Sequence, residues 1–320
     1  MTPNRTSTPS QPQRRSCPLV GHVAALGIAL TVCGLTLSAA DNIRVPGDRL
    51  EALVYQAIDI SGAALTNAQG INARGDIVGF YIRNAVTHGF LIDGTVTTID
   101  YPGAAYTDAR GINASGDVVG AYRLPGEPPI NFHGYLRTRG GEFRTIDVPG
   151  HINAIPQRIT SSGLIVGCRH DVDLMSTMRG VAMDARDQAG FEEVDAFASM
   201  TNGATADGQL LVGLYTDMDK NRGRGYVVSG GTFIPFDVPA STFTAAWDVN
   251  ARGDVVGVFR DAGGVHGFLW ADLRFRAINY PAAAATRTFG INARGDMVGA
   301  YTDAAGRIHG FVASRSSEDD

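Results

Sequence analysis

Short alternations of apolar and polar residues, with no helical 3.6-residue period, run through the chain from about residue 50 onward, as in DVVGAYR at 117–123 and EFRTIDV at 142–148. Segments of period two bounded by Gly, Asn, Asp and Pro predict short strands joined by tight turns. The pattern also repeats on a larger scale. GINARGDIVGFY at 70–81 returns as GINASGDVVGAY at 111–122 and as GINARGDMVGAY at 290–301. Anchored on the turn glycine, the copies stand at Gly75, Gly116, Gly163, Gly208, Gly253 and Gly295, with spacings of 41, 47, 45, 45 and 42 residues. Periods of this size belong to propellers and solenoids.

Each copy predicts about four strands; in the second they are RGINA, DVVGAYR, FHGYLRT and EFRTIDV. A Val-Gly pair recurs from Val78-Gly79 to Val298-Gly299, and a second glycine from HGFL at 88–91 to HGFV at 309–312. The Val-Gly glycine lies inside a strand, where glycine marks close approach of a neighbouring backbone, in a propeller that of the next blade. The closing element, TIDYPG at 98–103 and TIDVPG at 145–150, is missing after residue 312 and stands instead at the front, as YQAIDISGA at 55–63. An open solenoid has no use for such a circular shift, whereas a ring is latched by it. The expectation is an all-β, six-bladed β-propeller of four-stranded blades over residues 50–314, closed by an N-terminal strand that completes the last blade.

The G-I-N-x-x-G-x-x-V-G core with its downstream H-G-F resembles the HAF-repeat family of predicted bacterial extracellular proteins, over essentially residues 50–313. The resemblance implies export and a repeated β fold, and brings no established activity or catalytic residues. The chain departs from the pattern at Arg179 and Arg224, which stand where the other copies have His, and in the divergent third and fourth copies.

Composition agrees with a globular, turn-rich chain: of 320 residues 44% are hydrophobic and 18% charged, with 40 glycines. The net charge is −5, and since the first forty residues carry Arg5, Arg14 and Arg15 with no acid, the remainder stands at −8. That sign argues against a nucleic-acid partner. Arg14-Arg15, the apolar run Leu19–Leu37 and Ser38-Ala39-Ala40 read as a Sec-type signal peptide over 1–40, followed by a linker at 41–49. The expected location is secreted or periplasmic, with membrane attachment only if that segment stays uncleaved. Residues 315–320 read as a disordered tail. Cys17 and Cys33 leave with the signal, so the mature chain keeps one thiol, Cys168, and no internal disulfide. A monomer is expected.

Repeated residues read as scaffold. Asn72-Ala73-Arg74-Gly75-Asp76 is hairpin-turn chemistry, and the adhesion-like RGD tripeptides at 74–76, 252–254 and 294–296 fall in that turn. His88, His133, His266 and His309 occupy one place in four copies and read as structural hydrogen-bonding groups rather than a zinc centre. Departures from the repeat are the better functional candidates. Two positions after the Val-Gly glycine stand Tyr81, Tyr122, Tyr215, Phe259 and Tyr301, while the third copy has Arg169. That aromatic set, interrupted by Arg169, suits a carbohydrate or a protein or peptide ligand. The rival reading is a hydrolase or lyase acting on an extracellular polymer, with Arg169, His170 and Asp171 at the channel mouth. Neither needs a cofactor; Asp217, Asp219 and Asn221 form a weak candidate Ca²⁺ loop, with a turn-forming Asp as the alternative. No H-E-x-x-H, G-x-S-x-G or phosphate-cradling motif is present, and an interaction or structural module without catalysis is the favoured reading.

Overall fold

The computed structural model describes residues 53–315 apart from 173 and 195. The expected signal peptide over 1–40, the expected linker at 41–49 and residues 316–320 lie outside the described residues; Arg315, placed by sequence in the tail, ends a strand.

Strands dominate because the alternation buries one face while Gly- and Asn-bearing turns reverse the chain. Four blades have four antiparallel strands each. One is Asn153–Ile159, Leu164–His170, Arg179–Asp184 and Asp187–Glu193; the next is Met200–Ala204, Leu210–Asp217, Arg222–Ser229 and Thr232–Phe236. Phe243–Val249, Val255–Asp261, Gly264–Ala271 and Arg274–Ile278 make the third. The fourth runs Ala285–Ile291, Met297–Thr302, Ile308–Arg315 and finally Leu53–Ile58.

The expectation of six separate four-stranded blades is overturned: there are four such blades, and the strands of the first two sequence repeats form one sheet of nine. The first strand of the second repeat is split into Tyr106–Thr107 and Gly111–Ile112. Between the two pieces, Asp108 turns its carboxylate onto the Ala121 amide at 2.8 Å and the Tyr106 hydroxyl at 2.7 Å. The two-residue stub then pairs with Val118–Arg123 on one side and, through a parallel Thr87↔Tyr106 bridge, with Val86–Ile92 on the other. That bridge joins two repeats into one sheet.

The N-terminal strand does close the last blade. Leu53–Ile58 pairs antiparallel with Ile308–Arg315, from Leu53↔Arg315 to Ile58↔Gly310. His309 Nδ1 lies 2.8 Å from Asp59 Oδ1, and Tyr55 packs edge-on against Tyr280 at 5.6 Å. The turn ladder crosses the same seam. Asn250 Nδ2 donates to the Asn292 carbonyl, Asn292 to Asn72 and Asn72 to Asn113. The arginines of the RGD turns work in parallel: Arg252 donates to Ala293 O at 2.8 Å, Arg294 to Ala73 O at 2.9 Å and Arg74 to Ala114 O. Each of these guanidinium groups also holds the Asp of its own turn.

The Val-Gly glycines are needed for a reason other than the expected contact with the next blade. A Cβ on Gly120 would collide with the Asp108 carbonyl and stand 2.8 Å from the Tyr135 hydroxyl, both within its own repeat. Close approach between repeats falls on other glycines: a Cβ on Gly70 would sit 2.7 Å from Arg110 O, and one on Gly134 2.7 Å from the Pro156 ring. The core is correspondingly divided into clusters between sheets, such as Val119, Ile146, Val148, Ile165 and Val181.

Candidate binding site at the axis

The site is built mainly by the first strands of the first, second, fifth and sixth repeats, joined by residues of neighbouring second and third strands. In five of the six repeats the register of the first strand slips by one residue, at Gln69, Gln157, Asn202, Trp247 and Phe289. Arg110 holds the same place in the split strand of the second repeat. A β-bulge leaves its extra residue outside the ladder and re-aims the side chain. Three of the bulged residues, Gln69, Trp247 and Phe289, together with Arg110, reach the wall of one axial cavity.

The position following the bulge is glycine in four repeats, Gly70, Gly111, Gly203 and Gly290, but Arg158 in the third and Asp248 in the fifth. These two meet. Arg158 Nε lies 3.1 Å from Asp248 Oδ2 with both side chains buried. The Arg158 guanidinium donates to the carbonyls of Arg110 at 2.8 Å, Gln157 at 2.7 Å and Gln69 at 2.9 Å, and also to Phe289 O. Asp248 accepts from the amides of Val249 and Ile291. Burial raises its carboxyl above the ordinary value, against the opposing charge of Arg158. The pair ties several repeats together at the axis. It lines a small cavity of about 160 Å³ on the side of the Asn turns, with Asn72, Asn113, Thr160 and Asn292.

The larger axial cavity, about 340 Å³, lies within the size range of small-ligand sites. Trp247 and Phe289 meet edge to face in its wall, ring centroids 5.0 Å apart. Phe80, Phe243, Val258, Phe259 and Val265 extend the apolar surface. The polar groups are Gln69, Tyr106, Arg110, Arg260 and Arg287, and no Asp or Glu lines it. Arg110 is neutralised by Asp108, with Nε at 2.9 Å and Nη2 at 2.6 Å, and Tyr106 is raised by burial and by the same carboxylate. Arg260 and Arg287 have no such partner: among the described residues neither guanidinium has a hydrogen bond or an ion pair with a protein group. Burial, and after it the charge of Arg260, lowers Arg287 below the ordinary arginine value.

The candidates named from the sequence fall elsewhere, with one exception, so the residues expected to share a face are dispersed. Tyr81, Tyr122 and Tyr301 each stack on the His of their own repeat, at 5.2, 5.1 and 5.0 Å. Tyr122 and Tyr301 are further sandwiched by Tyr101 and Tyr280 at 3.6 Å, and burial raises each hydroxyl to about 12. Tyr215 packs on Phe233 and lies 3.3 Å from Arg224. Only Phe259 reaches the axial cavity.

Arg169 is bound to Glu193 at 2.6 Å and to the Thr177 carbonyl. His170 is buried with Nδ1 on the Asp171 carbonyl, and burial lowers its pKa. The Asp171 carboxylate goes to His151 at 3.1 Å and to the Ile152 amide. Cys168 is buried and its thiol is pushed up to about 12, so it stays protonated at neutral pH. His170 and Asp171 are therefore not paired as a base and its orienting carboxylate; the Asp171 carboxylate faces His151 instead.

Three of the histidines bond the residue that follows the closing strand, His88 to Asp100 at 2.9 Å, His266 to Asn279 at 2.8 Å and His309 to Asp59 at 2.8 Å, whereas His133 Nε2 lies 2.9 Å from Glu127 in the preceding loop. Arg224, in the same place, holds Asp237 at 3.0 Å and takes Asp217 Oδ2 at 3.0 Å. Asp217 is thus an ion-pair partner, and Asp219 is exposed. Among the described residues no three His, Cys, Asp or Glu side chains converge as a metal site.

No family model matches the chain, and no curated protein matches it. Among solved structures, the β-propeller domain of the trilobed protease from Pyrococcus furiosus is similar with a TM-score of 0.51 at 10% identity, over 79% of this chain and 95% of that one. TolB from Acinetobacter baumannii is similar with a TM-score of 0.51 at 11% identity, over 75% of this chain and 64% of that one. The fold is a β-propeller. At these identities the likeness extends to fold alone. The Pyrococcus domain is described as having an open velcro topology, whereas this propeller is closed by its N-terminal strand.

Arg158, Asp248 and Trp247 were missed by sequence reasoning although a signal existed. The departures that drew attention follow the Val-Gly pair, on the second strand. The first strand also carries two, Arg158 and Asp248, in a column otherwise glycine, preceded by a column that reads Gln, Arg, Gln, Asn, Trp, Phe.

Proposed function

We propose that the protein is an exported binding module of the bacterial envelope or extracellular space, related to the HAF-repeat proteins, and that a segment of a protein or peptide partner enters the 340 Å³ axial cavity. The observation that carries this reading is the concentration of non-repeated side chains, Trp247, Phe289, Arg260 and Arg287, on one cavity of an otherwise repetitive scaffold. Carbohydrate is the less favoured partner, because sugar hydroxyls call for several free planar polar side chains and the lining offers few: the Gln69 amide is engaged by Asn67 and Tyr106 by Asp108. A hydrolase or lyase reading gains no support from Arg169, His170 and Asp171 as they are bonded. Export follows from the N-terminal pattern, and among the described residues no helix is long and apolar enough to cross a membrane.

The chain has two tryptophans, so a Trp270→Phe variant leaves Trp247 as the fluorophore at the cavity. Titration of that variant with peptide and glycan panels is expected to quench or shift its emission with peptides. Emission unmoved by every peptide contradicts the proposal.

A further inference from the structure

The chemistry of the cavity narrows the partner, and the inference rests on the reading just proposed. Two arginines, the solvent-exposed Arg260 and the half-buried Arg287, line one cavity that no Asp or Glu lines. Holding like charges together without a counter-charge is unfavourable, and an anion between them removes that cost. A planar carboxylate suits a guanidinium best, because paired N–H donors match its two oxygens. The surrounding wall is aromatic and aliphatic, from Trp247, Phe289, Phe243 and Val265, so the carboxylate must be carried on an apolar body. A free apolar amino acid would answer that description, but its ammonium group would meet no Asp or Glu in the lining. A peptide C-terminus has the carboxylate and an apolar last side chain, with its nitrogen already an amide.

We infer that the cavity is a C-terminal carboxylate pocket: Arg260 and Arg287 clamp the free α-carboxylate of a partner chain while Trp247 and Phe289 receive its apolar last side chain. The bound nitrogen is an uncharged peptide N–H, which suits the cationic, acid-free lining. A uronate sugar shares the carboxylate but not the apolar side chain, and is an alternative outcome of the test.

Four probes at equal concentration, read by Trp247 emission in the Trp270→Phe protein, separate the possibilities. They are an N-acetylated tripeptide ending in phenylalanine, its C-terminal amide, free phenylalanine and glucuronate. The acid is expected to bind at least about tenfold more tightly than the amide, as loss of a charge-assisted pair requires. Free phenylalanine and glucuronate should bind more weakly than the acid. Arg287→Gln should lower affinity for the acid by about tenfold and leave affinity for the amide unchanged, with a melting temperature no lower than that of the parent, since an uncompensated charge has been removed. Equal binding of acid and amide overturns the carboxylate inference while leaving the binding reading standing. Tighter binding of glucuronate overturns the peptide assignment. Silence with all four probes overturns the inference, and silence extending to the whole peptide panel removes the parent proposal as well.

Discussion

At the scale of single residues, Arg158 carries the most connections. Its buried guanidinium faces the Asp248 carboxylate and carbonyls from the first, second and last repeats. Removing one partner of a buried pair leaves the other uncompensated, so Arg158→Met is expected to cost about 3–5 kcal/mol in urea denaturation. The Arg158→Met/Asp248→Asn double variant should recover part of that loss, which simple additivity would not give. Arg74 is the opposite case. It bridges to Ala114 O and holds Asp76, yet its side chain is 42% exposed. Exposed pairs contribute little, and Arg74→Ser should change stability by less than about 1 kcal/mol in the same assay. These residues also show why the site was poorly legible in the sequence. Tyr81, Tyr122 and Tyr301 vary little among repeats because they stack on the local His; they are scaffold, and the aromatic pattern alone does not say which face of a strand meets the axis.

At the scale of elements, the strands of the second repeat were readable to within a few residues: FHGYLRT contains His133–Arg137 and EFRTIDV contains Phe143–Ile146. Alternation and turn residues are local signals, and they suffice there. The merger of two repeats into a nine-stranded sheet is different, because it turns on one bridge, Thr87↔Tyr106, made available when Asp108 splits a strand. No periodicity announces that. The bulges that aim Trp247 and Phe289 are likewise register events, invisible until two strands are laid side by side. Where an element-level rule was readable, its reason changed: the Val-Gly glycine clears its own sheet, not the next. Gly120→Val drives a branched side chain into the Asp108 carbonyl and the Tyr135 ring. It should cost about 3 kcal/mol, measured as a lowered urea midpoint at unchanged slope.

At the scale of the whole molecule, the ring depends on its seam. Leu53–Ile58 supplies the outer strand of the last blade, and His309 bonds both Asp59, at 2.8 Å, and Asp303, at 3.2 Å. Burial acts to lower the His309 pKa, but the two carboxylates outweigh it and the value is raised. A raised histidine stabilises the fold fully below the unfolded value near pH ~6.5 and loses that contribution as pH rises through the folded value. The seam should therefore be tightest in mildly acidic solution, and His309→Gln should flatten the pH dependence of the melting temperature above about pH 6. Deleting residues 50–63 removes strand and carboxylate together and should lower the melting temperature at every pH; an unchanged value would contradict the closure. With the ring closed, the non-repeated side chains are brought to one cavity. The most direct test of that account is a crystal structure with the N-acetylated tripeptide bound. The expected map places the carboxylate between Arg260 and Arg287 and the phenyl ring against Trp247 and Phe289. Peptide density at Arg169 and His151, or outside the axis altogether, would contradict it.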